Sequence, residues 1–309
     1  MSLGFELAGY EVAAAIDNWS DALATIKLNN PKIKCVETDV SDVINLRSVL
    51  GEIGPISGII GGPPCQGFSI AGKRDPGDPR NKLYLGFVAA IEKLQPEFFV
   101  MENVPTIASP TNQELFESIL KDFRDLGYET FQRVLIASNH GVPQNRKRLF
   151  VVGIRRDIRK DYEFPTAFKE IVTSGDAISD LPDYSMPDGS PYPLPPNSEF
   201  QKWVRKGSKG IWNHEITRHT QATIDTIGRV PDGGNHKDLP EELLGIRNVN
   251  IAWTRLNSSK PSFTIDTGHR HHFHYKFNRV PTVRESARLQ SFPDSYVFTG
   301  SKTSQARQV

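Results

Sequence analysis

Through residue 155 the chain alternates two kinds of hydrophobic pattern. Short apolar runs at Val12–Ile16, Ile33–Thr38, Ile56–Ile60, Phe98–Met101, Phe131–Ile136 and Leu149–Ile154 predict buried strands. Between them, Leu3–Ala8, Asp21–Leu28, Val43–Leu50, Leu83–Leu94 and Glu114–Leu126 carry apolar residues at helical spacing. Gly9, Pro31 and Gly127 stand where helices stop. Strands alternating with helices predict an α/β fold with a doubly wound, mostly parallel sheet. Three strands run into an acid: Asp17, Asp39 and Glu102. In such a sheet ligands bind at the carboxyl edge, where an acid meets a ribose hydroxyl or an adenine amino group. The same acids also suit helix caps and turns.

Past Ile154 the pattern fades. Pro182–Pro196, Gly207–Gly210, Pro231–Asn235 and Asn257–Ser262 are loop-like, and only Arg279–Asp294 returns to a helical period, with Val283, Ala287 and Leu289 apolar. The division expected is an α/β domain over 1–160, a smaller irregular domain over 161–274, and a return segment over 275–309 that packs back on the hinge and the first domain.

The interruption after Ile56–Ile60 is the most pointed local signal. Gly61-Gly62-Pro63-Pro64-Cys65-Gln66-Gly67-Phe68-Ser69 cannot extend a central strand, so Cys65 is predicted on a tight loop at a strand's carboxyl end. Cys35 sits inside an apolar run and reads as core. Cys65, among prolines and glycines, reads either as a buried thiol or as a nucleophile.

Two cysteines in 309 residues argue against a disulfide framework and for a reducing compartment. No apolar run approaches the ~20 residues of a membrane span, and the first residues lack the pattern of a signal peptide. Charge is balanced overall, with 37 Lys and Arg against 36 Asp and Glu, but it is unevenly spread. Gln144–Lys160 holds seven basic residues and one acid, and Arg255–Arg288 holds seven against Asp266 and Glu285. Either cluster suits a solvated surface or a polyanion-binding face. His269–His274 is histidine-rich, but adjacent histidines converge poorly on one ion and no cysteine lies near, so no metal site is expected.

Four segments in order extend the reading: Pro64-Cys65-Gln66, Glu102-Asn103-Val104, Gln144-Asn145-Arg146-Lys147-Arg148, and Arg279 through Thr282-Val283-Arg284-Glu285-Ser286-Ala287-Arg288-Leu289-Gln290 to Phe292-Pro293-Asp294. With these the chain resembles the C5-cytosine-specific DNA methyltransferases of bacterial restriction–modification systems. The resemblance implies a Rossmann-like, S-adenosyl-L-methionine-dependent catalytic domain and a target-recognition domain that reads duplex DNA. It implies that the cytosine is flipped out of the helix. Cys65 would attack carbon 6, Glu102 would donate a proton to ring N3 as carbon 5 takes the methyl group, Arg148 would hold O2, and Arg146 would stabilise the site or a phosphate. Asn103 would brace the Cys65 loop. Asp17 and Asn18 would face the cofactor ribose, Asp39 and Val40 its adenine, with Pro63 and Leu83 lining the pocket. Ser69, Arg80, Gln144, Arg255 and Arg270 would face DNA.

Two family segments are absent, an opening strand with a Phe-x-Gly-x-Gly loop and a closing Gly-Asn-x-Val segment. The missing strand is central, so its neighbours would lose ladder partners. Three explanations stand open: a fragment of a whole enzyme, which the intact catalytic signatures favour; a second polypeptide that supplies the missing parts; or an inactive relative. The isolated chain is then expected to bind the cofactor poorly. A non-catalytic DNA-binding subunit and a tRNA cytosine methyltransferase are the alternative functions. The expected setting is the bacterial cytoplasm at the nucleoid, with a cognate restriction endonuclease as functional partner.

Overall fold

The computed structural model describes residues 1–51, 53–63, 82–239, 253–266 and 272–309. By internal contacts the chain divides into two units: Met1–Leu135 with Lys147–Pro165, and Ile136–Arg146 with Thr166–Val309. Residues 275–309 fall in the second unit with the region expected to read DNA, rather than with the catalytic strands.

In the first unit the elements follow the predicted order: α1 (Ser2–Leu7), β1 (Ala14–Asp17), α2 (Ser20–Asn29), β2 (Lys34–Glu37), α3 (Val43–Leu50), β3 (Gly58–Gly61), α4 (Lys82–Leu94), β4 (Phe98–Asn103), α5 (Gln113–Asp125), β5 (Tyr128–Ile136) and β6 (Lys147–Arg155). β1 pairs with β2 in parallel, and β3 with β4 in parallel. β4 pairs antiparallel with β6, and β5 lies beyond β6. The two parallel pairs are bridged by stretches containing α2 and α4, whereas β5 reaches β6 without a crossover helix, as an antiparallel return allows. Among the described residues no ladder joins β1–β2 to β3-β4-β6-β5. The sheet is thus in two pieces.

β4 alternates strictly: Phe99, Met101 and Asn103 are buried, while Phe98, Val100 and Glu102 are half-buried. Phe99 and Met101 enter a core with Tyr84, Phe87 and Ile91 of α4, Ile119 and Phe123 of α5, and Tyr128 of β5. The Phe99 ring lies 4.3 Å from that of Phe123 and 5.3 Å from that of Tyr128. On the other face Phe98 stacks on Phe5 of α1 at 6.2 Å. Aromatic packing on both faces fixes where β4 ends, and therefore where Glu102 stands.

The second unit holds short helices with side-chain caps: α6 (Ser174–Ile178), α7 (Glu199–Arg205), α8 (Gln221–Gly228), α9 (Val283–Leu289) and α10 (Lys302–Gln308), plus a two-residue parallel ladder of β7 (Thr254–Arg255) and β8 (His272–Phe273). The helix expected across Arg279–Asp294 is confined to α9. Pro281 precedes its N-cap Thr282, which forms a capping box with Glu285, and Ser291 at φ 63° ends the run. Every residue of α9 is buried, including Arg284, Glu285 and Arg288. Among the described residues no helix is long and apolar enough to cross a membrane.

Candidate active site

The chemistry-bearing residues of the first unit gather at the carboxyl end of β4. Glu102 stands opposite Phe150 of β6. Arg148, two residues before Phe150, falls on the same sheet face by the two-residue period of a strand. Its Nε lies 2.8 Å from Glu102 Oε1, with the side chains 19% and 23% exposed respectively. Arg148 Nη1 donates to the Lys147 carbonyl at 2.7 Å. The pair is therefore formed but open to solvent, with guanidinium hydrogens left for another acceptor.

Asn103 points into the other face and is buried. Its Nδ2 donates to the Pro63 carbonyl at 2.9 Å, and its Oδ1 accepts from the Val104 N–H at 2.9 Å. Pro63 is the last described residue before the Cys65 loop. Gly62 lies against the same strand end, since a Cβ placed on it would be 3.3 Å from Glu102 Oε2. The chain thus leaves β3 beside Glu102, clamped by Asn103, two residues before Cys65. Cys65, Ser69, Arg80 and Arg270 lie outside the described residues.

A second cluster lies at the ends of β1 and β2. Asp17 closes β1, with Asn18 next to it, and Asp39 follows β2; all three are exposed. Each acid is oriented by its own turn, Asp17 Oδ1 accepting from the Trp19 N–H at 2.9 Å and Asp39 Oδ1 from the Ser41 N–H at 2.8 Å. The Thr38 N–H donates to the Asp17 carbonyl at 3.0 Å, tying the two turns together. Val40 and Leu83 are half-buried and Pro63 is buried. Cys35 is half-buried on β2, its Sγ 3.6 Å from the Leu23 carbonyl, as a packing cysteine would be.

In the second unit two residues expected at DNA are otherwise engaged. Arg255 is buried; its guanidinium donates to the carbonyls of Val230 at 2.6 Å and His274 at 3.0 Å, and to Asn278 Oδ1 at 2.9 Å. A side chain caged by acceptors does not reach a phosphate, and Arg255 is a structural residue here. Leu256 beside it and His274 of the histidine-rich run are likewise buried. Gln144 is fully buried in the loop that leads to half-buried Arg146, and it forms a parallel bridge with Ser262. The expected surface contact to DNA through its side chain is not what this structure presents. Among the described residues no group of three or more His, Cys, Asp or Glu is arranged to hold a metal ion.

Two features escaped the sequence. The Asn103–Pro63 clamp was legible as a role but not as a contact. The buried ion pairs around α9 were not anticipated; the available signal was three Arg and two acids within the otherwise apolar helical pattern of Arg279–Asp294.

The family model for C-5 cytosine-specific DNA methylases matches residues 1–309. The chain belongs to this family. It is a DNA (cytosine-5)-methyltransferase, and its methyl donor is S-adenosyl-L-methionine. Type II methyltransferase M.DdeI of Desulfomicrobium norvegicum is 35% identical across 98% of this chain and 78% of its own length. Type II methyltransferase M1.HphI of Haemophilus parahaemolyticus is 36% identical across 100% of this chain and 78% of its own. The crystal structure of a prophage-encoded DNA modification methyltransferase of E. coli superposes with a TM-score of 0.79 at 27% identity, covering 99% of this chain and 89% of that one. Dnmt2 methyltransferase of S. pombe shares the fold at a TM-score of 0.57 and 17% identity. The residues at hand suit the methyltransferase cofactor. Two exposed carboxylates, at the end of β1 and just past β2, are of the chemical type that ribose hydroxyls and an adenine amino group would need as acceptors.

Proposed function

We propose that the chain methylates carbon 5 of a flipped-out cytosine in duplex DNA through a transient covalent bond to Cys65. The observation that carries this reading is the Glu102–Arg148 pair at the strand end from which Gly62 and Pro63 lead into the Cys65 loop. The Cys65 thiolate adds to carbon 6 of the ring. Protonated Glu102 donates to N3 as it does so, drawing electrons from the ring, and Arg148 turns a free N–H toward O2. Electron density at carbon 5 then takes the methyl group that S-adenosylmethionine supplies. Water takes the carbon 5 proton, the Cys65 sulfur departs with its bonding electrons, and N3 returns its proton to Glu102, which restores the aromatic ring. Asp17 and Asn18 hold the cofactor ribose, and Asp39 with Val40, Pro63 and Leu83 holds its adenine. Arg146 stabilises the site or an adjacent phosphate; Ser69, Arg80 and Arg270 contact DNA.

The type II relatives support a cognate restriction endonuclease as the functional counterpart, acting on the same sites at the nucleoid. A strand from a second polypeptide, set between β1 and β3, would join the two ladders and is the other partner of this reading.

The test is trapping on duplex DNA that carries 5-fluorocytosine, whose carbon 5 fluorine cannot leave as a proton does. The expected result is a denaturation-resistant protein–DNA adduct that needs cofactor and is lost in Cys65→Ala. No adduct, or an adduct that survives Cys65→Ala, contradicts the mechanism.

A further inference from the structure

α4 passes unusually close to the turn that follows β2. A Cβ placed on Gly86 would lie 2.9 Å from the Val40 carbonyl carbon, closer still to its oxygen, and 3.4 Å from the Val40 Cβ. The neighbour is main chain, so no rotamer change relieves the contact; one element must move. α4 is anchored in the core. Tyr84, Phe87 and Ile91 are in the core, and Tyr84 Oη donates to Asp122 Oδ2 of α5 at 3.0 Å. In the Val40 turn the Ser41 N–H donates to Asp39 Oδ1 at 2.8 Å and the Asp42 N–H to the Asp39 carbonyl at 3.0 Å, while the Asp39 side chain is exposed. A methyl group at position 86 therefore forces α4 and the Val40 main chain apart by roughly 1 Å, the scale on which a misplaced contact group costs function.

Leu83 lies one helical turn before Gly86, on the same side of α4. The separation of Leu83 from Val40 and Asp39 is thus set by how closely α4 approaches the turn. We infer that Gly86 is a positioning residue for the adenine end of the cofactor: its missing side chain lets α4 and the β2 turn close to the width of a flat base. The inference rests on the cofactor roles proposed above for Asp39, Val40 and Leu83. It assigns Gly86 no contact with the reacting atoms.

The experiment compares Gly86→Ala with Gly153→Ala and Asp39→Ala in steady-state kinetics and thermal melting. A Cβ on Gly153 would lie 2.6 Å from Phe99 Cδ1 and nearer still to the rest of that ring, so Gly153→Ala strains the same unit in its core. For Gly86→Ala the expected result is a KM for S-adenosylmethionine raised about tenfold, with kcat at saturating cofactor and the KM for DNA within about twofold of the parent. Weaker binding of S-adenosylhomocysteine by the same factor, measured by calorimetry, should accompany it. Gly153→Ala should lower the melting temperature without moving either KM. The inference is overturned if Gly86→Ala behaves like Gly153→Ala, failing to fold or melting early with an unchanged cofactor KM, while Asp39→Ala raises that KM. Should Asp39→Ala also leave it unchanged, the cofactor assignment falls and this inference with it.

Discussion

Two sets of arginine–carboxylate pairs use the same functional groups in opposite ways. Glu102 Oε1 and Arg148 Nε lie 2.8 Å apart, each side chain about one-fifth exposed. Around α9, Arg288 donates to both oxygens of Asp294 at 2.9 and 2.6 Å, to Asp180 and to the Ala177 carbonyl, while Arg279 holds both oxygens of Glu285 at 2.8 Å. Tyr192 Oη donates to Asp294 at 2.7 Å, and Arg205 pairs with Asp180. Burial alone would raise the Glu285 and Asp294 carboxyls, but the guanidiniums of Arg279 and Arg288 outweigh it and hold both below their ordinary values. The difference lies in spare hydrogen-bonding capacity. A buried pair is tolerable only when nearly every donor and acceptor is matched, which leaves nothing for a ligand. A partly exposed pair whose guanidinium keeps N–H groups for another acceptor can open toward a substrate at small cost.

The buried set gives the largest expected effect. Arg288→Met leaves Asp294 and Asp180 buried with their main partner gone, and should destabilise the second unit by about 3–5 kcal/mol in urea unfolding. A loss under about 1 kcal/mol would mean the network is not the anchor this comparison makes it.

The same network predicts a smaller, pH-dependent effect. Burial pushes the His274 imidazole down to about 4, against its ordinary 6.5. Its Nδ1 already accepts from the N–H groups of Lys276 and Phe277 at 3.0 and 3.2 Å, so a proton there would displace both. Glu285 favours the charged form, but Arg279, Arg255 and His214 on the surrounding elements oppose it. Burial lowers His214 as well. Because the folded pKa is depressed, the stabilisation is complete above pH 6.5 and is lost as pH falls toward 4. Urea midpoints should report a loss of roughly 2–3 kcal/mol between pH 7 and pH 4.5. Replacing both histidines with Gln should flatten that slope; an unchanged slope would place its origin elsewhere.

The two regions also differed in how far they could be read beforehand. Ile56–Ile60 ends in glycines and prolines, and Phe98–Met101 runs into Glu102; hydrophobic period and chain punctuation are local signals, and they located both strand ends to within two or three residues. Asp17 and Asp39 emerged by the same logic. Arg255 and Gln144 did not, because composition cannot tell a polar side chain facing water from a buried one, such as Arg255 among the carbonyls of Val230 and His274. α7 and α8 are too short to show a period, and their starts depend on Ser198 and Thr220 caps that look like ordinary loop residues. The antiparallel arrangement of β4 with β6 was hidden because β6 follows β5 without an α-helix, which a count of strands alone does not show.

The smallest effect on stability belongs to Glu102, and there the account is most exposed. Glu102→Gln keeps the shape of the side chain and removes its acid. Its methyl-transfer rate and its urea midpoint, measured on one preparation, test the claim that the pair with Arg148 exists for chemistry. The expected result is a rate reduced by about 10²-fold or more with a stability change under about 1 kcal/mol. A variant that keeps its rate, or loses it only in proportion to its folded fraction, would contradict the account.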